Sequence, residues 1–416
     1  MVSLVFLPSI PTPIRRVSPL LLLACGFGLV AMAFALSVGL CALTRRLAPR
    51  FGLVDRPGGR KAHKAPTPLG GGLAIWLTLV LVLAFGTAWV GWGAPLPSAL
   101  DVHRGGLSEK VGHLWMIVGL ATVVMVLGLI DDRFGLDWRP RLAVQVLLAV
   151  GLLLTGSRIT LFGLGPLSFP PISWALTVVW VVGLTNAFNF LDNMDGLAAG
   201  VGLIAASLFI GAQVAVGSLF VPAVLLILAG ALAGFLVHNH APARLFMGDA
   251  GSNFLGYLLG ALTVAGTFTV TGPESGYSPF GVLTPLLVMA VPLYDTASVI
   301  LIRLREGRSP FQADRSHFSH RLVDRGLTPV GAVRTIYLVT LAGGLGALLL
   351  HRLDEFGAGV VVAQTCCLLG VVAILEISWN RSPERSKHGE SRREPAPGTA
   401  IVGPEGIDAG PRTGPH

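Results

Sequence analysis

The chain has 416 residues, of which 53% are hydrophobic and only 12% are charged, with a formal net charge of +8. Soluble globular proteins carry about 25% charged residues, so this composition excludes an ordinary soluble enzyme and indicates an integral membrane protein. The basic residues do not form the kind of patch that binds nucleic acid, so no nucleic acid is expected as a partner.

Apolar runs long enough to cross a bilayer recur along the chain. A span needs about 20 mainly apolar residues whose backbone is hydrogen-bonded internally, so each run predicts a transmembrane helix. The predicted spans are approximately 18–43, 70–90, 113–130, 141–156, 173–190, 197–216, 219–237, 251–270, 280–302, 331–350 and 356–378. The sequence therefore predicts an all-α polytopic membrane protein with about eleven transmembrane helices in one domain, 1–378. The remaining tail, 379–416, is rich in Pro, Gly and charge and is expected to be disordered.

The basic residues predict the orientation of these spans. With the N-terminus outside, all but six Lys and Arg residues fall on the cytoplasmic side, as the positive-inside rule expects. The predicted cytoplasmic segments are 44–69, 131–140, 191–196, 238–250, 303–330 and the tail. The first of them is shaped by Gly and Pro and places His63 and Lys64 next to a helix start. Such a turn can bind a polyanion, although topology alone also makes cytoplasmic loops basic.

Two later segments carry carboxylates at the ends of apolar runs. Asp131 and Asp132 are adjacent, and because such carboxylates repel, they predict a cation site; a solvated charged loop is the alternative. Asn186, Asn189, Asp192 and Asp195 then follow at steps of three. A carboxylate at the bilayer centre costs about 2.5–3.5 kcal/mol, so these groups indicate a polar site that faces protein or a cation. Nine helical residues turn through about half a circle, which predicts Asp192 and Asp195 at a helix end or short loop, with helix capping as the alternative.

The last two cytoplasmic loops add further polar groups. Asp249 lies in a Gly-Asp-Ala-Gly-Ser stretch that could hold phosphate and metal together, although Asp249 or Ser252 could instead simply cap the following helix. His317 and His320 lie one helical turn apart with Arg321 adjacent, a pattern that an amphipathic surface helix would also produce. Asp295 is expected at about mid-depth in the preceding span.

Under one topology, all of the loop carboxylates reach the same membrane face. These residues are Asp131, Asp132, Asp192, Asp195 and Asp249. Carboxylates and basic groups around a cation are typical of Mg²⁺-dependent phosphoryl chemistry. At a bilayer surface, they predict a soluble nucleotide-linked donor and a lipid-phosphate acceptor. An ion-coupled transporter is the alternative class, but the polar groups do not line a midplane pathway and no inverted repeat is evident.

From about Gly52 to Leu327 the sequence resembles the polyprenyl-phosphate N-acetylhexosamine-1-phosphate transferases of glycosyltransferase family 4. The motifs are Val54-Asp-Arg-Pro…Arg-Lys-Ala-His…Pro-Thr-Pro-Leu-Gly-Gly, Asp131-Asp-Arg, Asn186-Ala-Phe-Asn…Asp-x-x-Asp-Gly-Leu197 and Phe246-Met-Gly-Asp-Ala-Gly-Ser252. The first motif resembles the GlcNAc branch more than the phospho-MurNAc-pentapeptide translocase branch. Ser319 stands where the His-x-His-His loop of the GlcNAc branch has its second His.

The resemblance implies a reaction between a UDP-N-acetylhexosamine, UDP-GlcNAc above all, and undecaprenyl phosphate. The products would be a lipid diphospho-sugar, which starts a cell-envelope polymer, and UMP. It implies Mg²⁺ as cofactor, with Mn²⁺ as an alternative ion, and a site on the cytoplasmic face of a bacterial inner membrane. The pentapeptide translocase activity is the alternative within the enzyme class, and a homodimer is compatible with the family.

The resemblance also assigns roles to individual residues. It implies catalytic roles for Asp131, Asp132 and Asp192, with positioning of the lipid phosphate more important than its deprotonation because a phosphate monoester has its second pKa at about 6. Asp249 and Asp192 would hold the metal. The implied substrate-binding residues are Lys64, Asn189, Asp195 and Phe246 for the nucleotide, and His317, His320 and Arg321 for the diphosphate or amino sugar.

Overall fold

The computed structural model describes residues 18–55, 66–95, 101, 104–159, 169–266, 268, 278–310 and 316–378. Lys64 and the tail 379–416 lie outside the described residues. The helices are α1 (Pro19–Leu47), α2 (Gly71–Gly91), α3 (Arg104–Phe134), α4 (Trp138–Leu154), α5 (Pro170–Leu191), α6 (Leu197–Ala215), α7 (Phe220–Asn239), α8 (Gly248–Ala265), α9 (Thr284–Val288), α10 (Ala290–Arg305), α11 (Phe318–Asp324), α12 (Pro329–Leu345) and α13 (Glu355–Ser378).

The described helices confirm an all-α polytopic membrane protein. Eight of them are long and apolar enough to cross a membrane, and a ninth span is formed if α9 and α10, which meet at a bend of 59°, are taken together. The other two predicted spans, 141–156 and 251–270, correspond to α4 and α8. Helix α4 has only 17 residues, and α8 has 18, including a polar first turn. By length and composition the described residues therefore contain eight or nine spans, against about eleven predicted.

Helix α8 lies in the centre of the bundle. Every residue from Ala250 to Thr263 is buried, and α2, α3 and α5 pack against it. Burial all round is typical of a helix enclosed by other helices, since it has no face for lipid. The outer helices differ: α1 and α13 expose large apolar side chains such as Leu20, Phe27 and Phe356, which is the expected surface of a helix in contact with lipid.

The close packing of α3 on α8 depends on a glycine. A Cβ atom at Gly128 would lie 2.4 Å from the carbonyl oxygen of Asp249 and 2.6 Å from Cα of Ala250. Small residues at such crossings let helix backbones approach within a membrane. The contact falls one turn before Asp131 and Asp132, so it brings the end of α3 directly against the beginning of α8.

A small sheet joins the first cytoplasmic loop to the loop before α8. Strands β1 (Val54–Asp55) and β2 (Thr67–Pro68) pair antiparallel. Leu69 forms a parallel bridge with Phe246, and the Phe246 backbone N–H donates to the Pro68 carbonyl at 2.9 Å. These hydrogen bonds place the two ends of the first loop beside the start of α8.

Candidate active site

Asp132, on the last turn of α3, caps the N-terminus of α8. One carboxylate oxygen accepts from the Asp249 backbone N–H at 2.8 Å and the other from the Ala250 N–H at 3.1 Å. A carboxylate is favoured here because a helix N-terminus carries free N–H groups and a partial positive charge. Gly248 allows the approach, since it has φ +71° and a Cβ there would lie 2.5 Å from Asp132 Oδ2. The capping role that was the alternative for Asp249 or Ser252 is thus filled by Asp132.

Asp131 and Asp249 share one arginine, Arg141 of α4. Its Nη1 donates to Asp249 Oδ2 at 3.0 Å and also to Asp131 Oδ2. The other oxygen of Asp131 accepts from the Leu136 N–H at 2.7 Å, which closes the turn between α3 and α4. Asp131 is therefore a buried carboxylate that pairs with an arginine, which argues against a solvated loop for this residue.

Arg141 is the first residue of the predicted span 141–156, and the sequence did not indicate its position in the site. The one available signal was weak: a basic residue ten positions after Asp131, on the helix that follows the aspartate pair. Its second partner, Asp249, is 108 residues further along the chain. No local pattern connects residues that far apart.

Helix α5 contributes the amides to the same cluster. Asn189 Nδ2 donates to Asp249 Oδ1 at 2.8 Å and to Ser252 Oγ at 3.2 Å. One turn earlier, Asn186 donates to Gln145 Oε1 of α4 at 2.7 Å. Gln145 is buried and was also missed by sequence reasoning. These bonds fix how α5 and α4 present their polar groups to α8.

Asp192 lies where the sequence predicted a helix end, since α5 stops at Leu191 and Asp192 is its C-cap residue. No donor among the described residues hydrogen-bonds to its carboxylate, although it is only partly exposed. Withdrawal from water and, to a smaller extent, the nearby carboxylates of Asp132 and Asp195 together raise the pKa of Asp192 to about 7. A cation beside this group would favour its charged form.

The residues present fit a Mg²⁺ ion that is completed by substrate. Within the described residues, no three His, Cys, Asp or Glu side chains form a ready-made metal group. Mg²⁺ usually binds one or two carboxylates together with substrate phosphate oxygens and water, so it needs no such cage. Asp192 supplies a carboxylate without a donor, and Asp249 supplies a second, partly exposed carboxylate whose oxygens accept one hydrogen bond each from Asn189 and Arg141. Whether these two residues bind the metal stays a prediction.

Asp195 connects the loop after α5 to the loop before α8. Its Oδ2 accepts from the Ala243 N–H at 2.9 Å, and the neighbouring Gly196 N–H donates to Asn239 Oδ1 at 2.9 Å. Phe246 is half-buried a few residues beyond Ala243. Asp195, Phe246 and Asn189 thus lie around the start of α8, while Lys64 lies outside the described residues. Their roles with a nucleotide stay predictions.

The loop that carries His317 is folded into the protein. Helix α11 is short, and Phe318, Ser319 and Arg321 are buried in it, which argues against an amphipathic surface helix. Arg321 donates to Ser298 Oγ at 2.8 Å and pairs with Glu376 of α13 at 3.1 Å. The guanidinium group is therefore already engaged by protein.

Two side chains hold this loop against the acidic cluster. Ser319 Oγ donates to Asn193 Oδ1 at 2.5 Å, so the residue at the expected His position contacts the loop that follows Asp192. His317 Nδ1 lies 3.0 Å from Asp295 Oδ2, and its ring packs edge-on against Phe190 with centroids 5.6 Å apart. His320 is half-buried. The contact between Asp295 and the loop was not foreseen.

The fold and this cluster define a class: a polytopic helical membrane protein with carboxylates from several helices gathered at the start of one central helix. Comparison with known proteins agrees with that class. The family described as Glycosyl transferase family 4 matches residues 114–267. The chain belongs to this family, the polyprenyl-phosphate N-acetylhexosamine-1-phosphate transferases.

Several bacterial relatives are similar over most of their length. A probable undecaprenyl-phosphate N-acetylglucosaminyl 1-phosphate transferase of Bacillus subtilis (strain 168) is 31% identical over 317 residues, which cover 74% of this chain and 80% of the relative. A decaprenyl-phosphate N-acetylglucosaminephosphotransferase of Mycolicibacterium smegmatis is 34% identical over 376 residues, or 84% and 86% of the two chains. An undecaprenyl-phosphate alpha-N-acetylglucosaminyl 1-phosphate transferase of Escherichia coli K12 is 28% identical over 318 residues, or 72% and 76%. The resemblance inferred from the motifs is confirmed, and the chain is a bacterial membrane protein.

Proposed function

We propose that this protein transfers N-acetylglucosamine-1-phosphate from UDP-GlcNAc to a polyprenyl phosphate and releases UMP. The observation that carries the proposal is the meeting of Asp131, Asp132 and Asp249 at the start of α8, with Asp192 beside them. The names of the similar proteins support the same acceptor and the same sugar phosphate.

The transfer needs one bond to form and one to break. A phosphate oxygen of the lipid attacks the sugar-bearing phosphorus of the donor, and the bond from that phosphorus to the bridging oxygen breaks, so UMP leaves with the bridging oxygen. The lipid phosphate is largely ionised near pH 7, because its second pKa is about 6. The protein therefore has to position two anions and balance their charge, and it has little need of a base.

Different residues of the site position the two anions and balance their charge. Asp132 holds the first turn of α8 in place, and Arg141 pairs with both Asp131 and Asp249 and offsets part of their charge. We propose that Asp192 and Asp249 hold Mg²⁺, or Mn²⁺, which when bound would neutralise charge on the reacting phosphate groups. Asn189, Asp195, Phe246 and Lys64 would bind the nucleotide.

We propose that His317 and His320 contact the diphosphate or the amino sugar. Arg321 would have to exchange a protein partner to do the same, since Ser298 and Glu376 already engage it. The distribution of basic residues supports an active site on the cytoplasmic face of the inner membrane, which is also the side where nucleotide sugars are present.

The donor is tested by assaying UDP-GlcNAc, UDP-GalNAc and UDP-MurNAc-pentapeptide in parallel with purified protein in liposomes. Undecaprenyl and decaprenyl phosphate serve as acceptors, and UMP and the lipid product are measured. We expect UDP-GlcNAc to give the highest kcat/KM. A preference for the pentapeptide donor would assign the translocase activity instead, and flux of labelled solute without lipid product would indicate a transporter.

Removal of divalent cations tests the metal. Because Asp192 has no protein donor among the described residues, we expect EDTA to abolish transfer and excess Mg²⁺ to restore it, with Mn²⁺ restoring it in part. Thermal unfolding measured with and without EDTA serves as the control for loss of structure. Unchanged turnover in EDTA would contradict a metal at this site.

A further inference from the structure

The proposed function does not use the buried carboxylate of Asp295. Asp295 lies on α10 and is only 1% exposed. Its Oδ2 lies 3.0 Å from His317 Nδ1, and its Oδ1 accepts from the Phe318 backbone N–H at 2.5 Å. A buried carboxylate is costly unless both oxygens have donors. Here the donors come from two consecutive residues of the loop that carries the histidines.

The bond to Asp295 determines which nitrogen of His317 carries hydrogen. An ionised carboxylate only accepts hydrogen bonds, so Nδ1 must be the donor. The other ring nitrogen, Nε2, has no hydrogen-bond partner among the described residues. The ring is further held by its edge contact with Phe190, two residues before Asp192. Nε2 is thus the ring nitrogen that remains available to a ligand, and the contacts with Asp295 and Phe190 fix the orientation of the ring.

We propose that Asp295 is a positioning residue for transfer. It holds His317 with Nδ1–H toward α10, so that Nε2 can hydrogen-bond to the diphosphate of the donor. The inference rests on the proposed function, in which His317 contacts that diphosphate. When Nε2 donates to a phosphate oxygen, the ring carries both protons, and the Asp295 carboxylate balances the positive charge. The bond from Ser319 to Asn193 holds the same loop against the residues after Asp192.

The variant Asp295→Asn keeps the shape of the side chain and changes its chemistry. An Asn offers one oxygen and an NH₂ group, so it cannot accept from both His317 Nδ1–H and Phe318 N–H. The arrangement that satisfies all groups moves the His317 hydrogen to Nε2, the wrong tautomer. We expect kcat/KM for UDP-GlcNAc to fall about 10- to 100-fold, as when the partner that orients a functional histidine is removed, with KM for the polyprenyl phosphate changed less than about twofold.

A double-mutant cycle separates positioning from general structure. If Asp295 acts through His317, then Asp295→Asn should have no further effect on kcat/KM in a His317→Gln background, because coupled residues are not additive. Ser37→Ala is the matched control: it removes one buried interhelical hydrogen bond, from Ser37 Oγ to the Ala231 carbonyl at 2.7 Å, and should leave the kinetics unchanged. Additive losses in the double variant would overturn the proposal.

A spectroscopic measurement covers the case in which Asp295→Asn does not fold. In wild-type protein with ring-¹⁵N-labelled histidine, the signal that disappears in His317→Gln should show hydrogen on Nδ1. A neutral Nε2–H tautomer there would overturn the proposal. The proposed function is tested separately: it is wrong if wild-type protein makes no lipid-linked product from UDP-GlcNAc. The tautomer of His317 can be measured whatever the outcome of that assay.

Discussion

Replacing Asp249 with Asn is expected to reduce transfer at least about 1,000-fold while the protein still inserts and folds. Asn fills the same space, and its single oxygen can accept from either Asn189 or Arg141, which now hydrogen-bond to different oxygens of Asp249. It lacks the negative charge that would hold Mg²⁺ against the substrate phosphates. A factor of 1,000 corresponds to about 4 kcal/mol of transition-state stabilisation, within the range of charge stabilisation that a metal supplies.

The measurement is UMP release at saturating Mg²⁺, together with thermal unfolding of the purified variant. Asp137→Asn is the matched control, because Asp137 caps α4 through the Arg139 N–H at 2.8 Å and Asn caps a helix about equally well. Turnover in the control should be unchanged. Substantial turnover in Asp249→Asn would remove Asp249 from the metal role.

The substitution Gly128→Ala is expected to disrupt the site without changing any polar residue. The added methyl group would lie 2.4 Å from the Asp249 carbonyl oxygen, and because backbone atoms cannot rotate away, α3 has to move from α8. Overpacking of this kind costs about 1–3 kcal/mol of stability. The move also displaces the Asp132 carboxylate from the first turn of α8. A misplacement of about 1 Å can cost about 100-fold in rate, so we expect a loss of that size.

Gly119→Ala on the same helix is the control. A Cβ at Gly119 has nothing within 4 Å, so this change should leave the rate unaltered and the protein equally or slightly more stable. Both variants are compared by kcat/KM and by thermal unfolding in the same detergent. Equal behaviour of the two variants would show that the close contact of α3 with α8 does not hold the site together.

The membrane spans illustrate what sequence patterns predict well and where they fail. Each of the eleven apolar runs is largely helical where it is described, with 280–302 divided between α9 and α10, because lipid forces every backbone group to bond within its own segment. The pattern could not distinguish α4 and α8, which are short or partly polar, from full spans. In α8 the apolar residues face other helices and not lipid, and an apolar run has the same composition in either surrounding.

For the candidate site, too, the sequence identified some residues and not others. Asp131, Asp132, Asp192, Asp195 and Asp249 could be recognised, since a carboxylate next to an apolar span is costly and therefore conspicuous. Arg141, Gln145 and Asp295 were not assigned to the site. A basic residue at a helix end or a single glutamine in a helix has many ordinary explanations. Their partners are Asp249, Asn186 and His317, which lie on other elements of the fold.

The sequence by itself determined that this chain crosses a membrane many times, that its acidic loops lie on one side, and to which family it belongs, because these properties depend on residue type and local spacing. Only the tertiary structure decided how the acidic groups are used: Asp132 caps α8, Arg141 joins Asp131 to Asp249, and Asp192 alone among these four carboxylates lacks a donor within the described residues. Those roles depend on contacts between helices up to 118 residues apart in the chain. Such contacts depend on how the helices pack against one another, which local residue spacing does not predict.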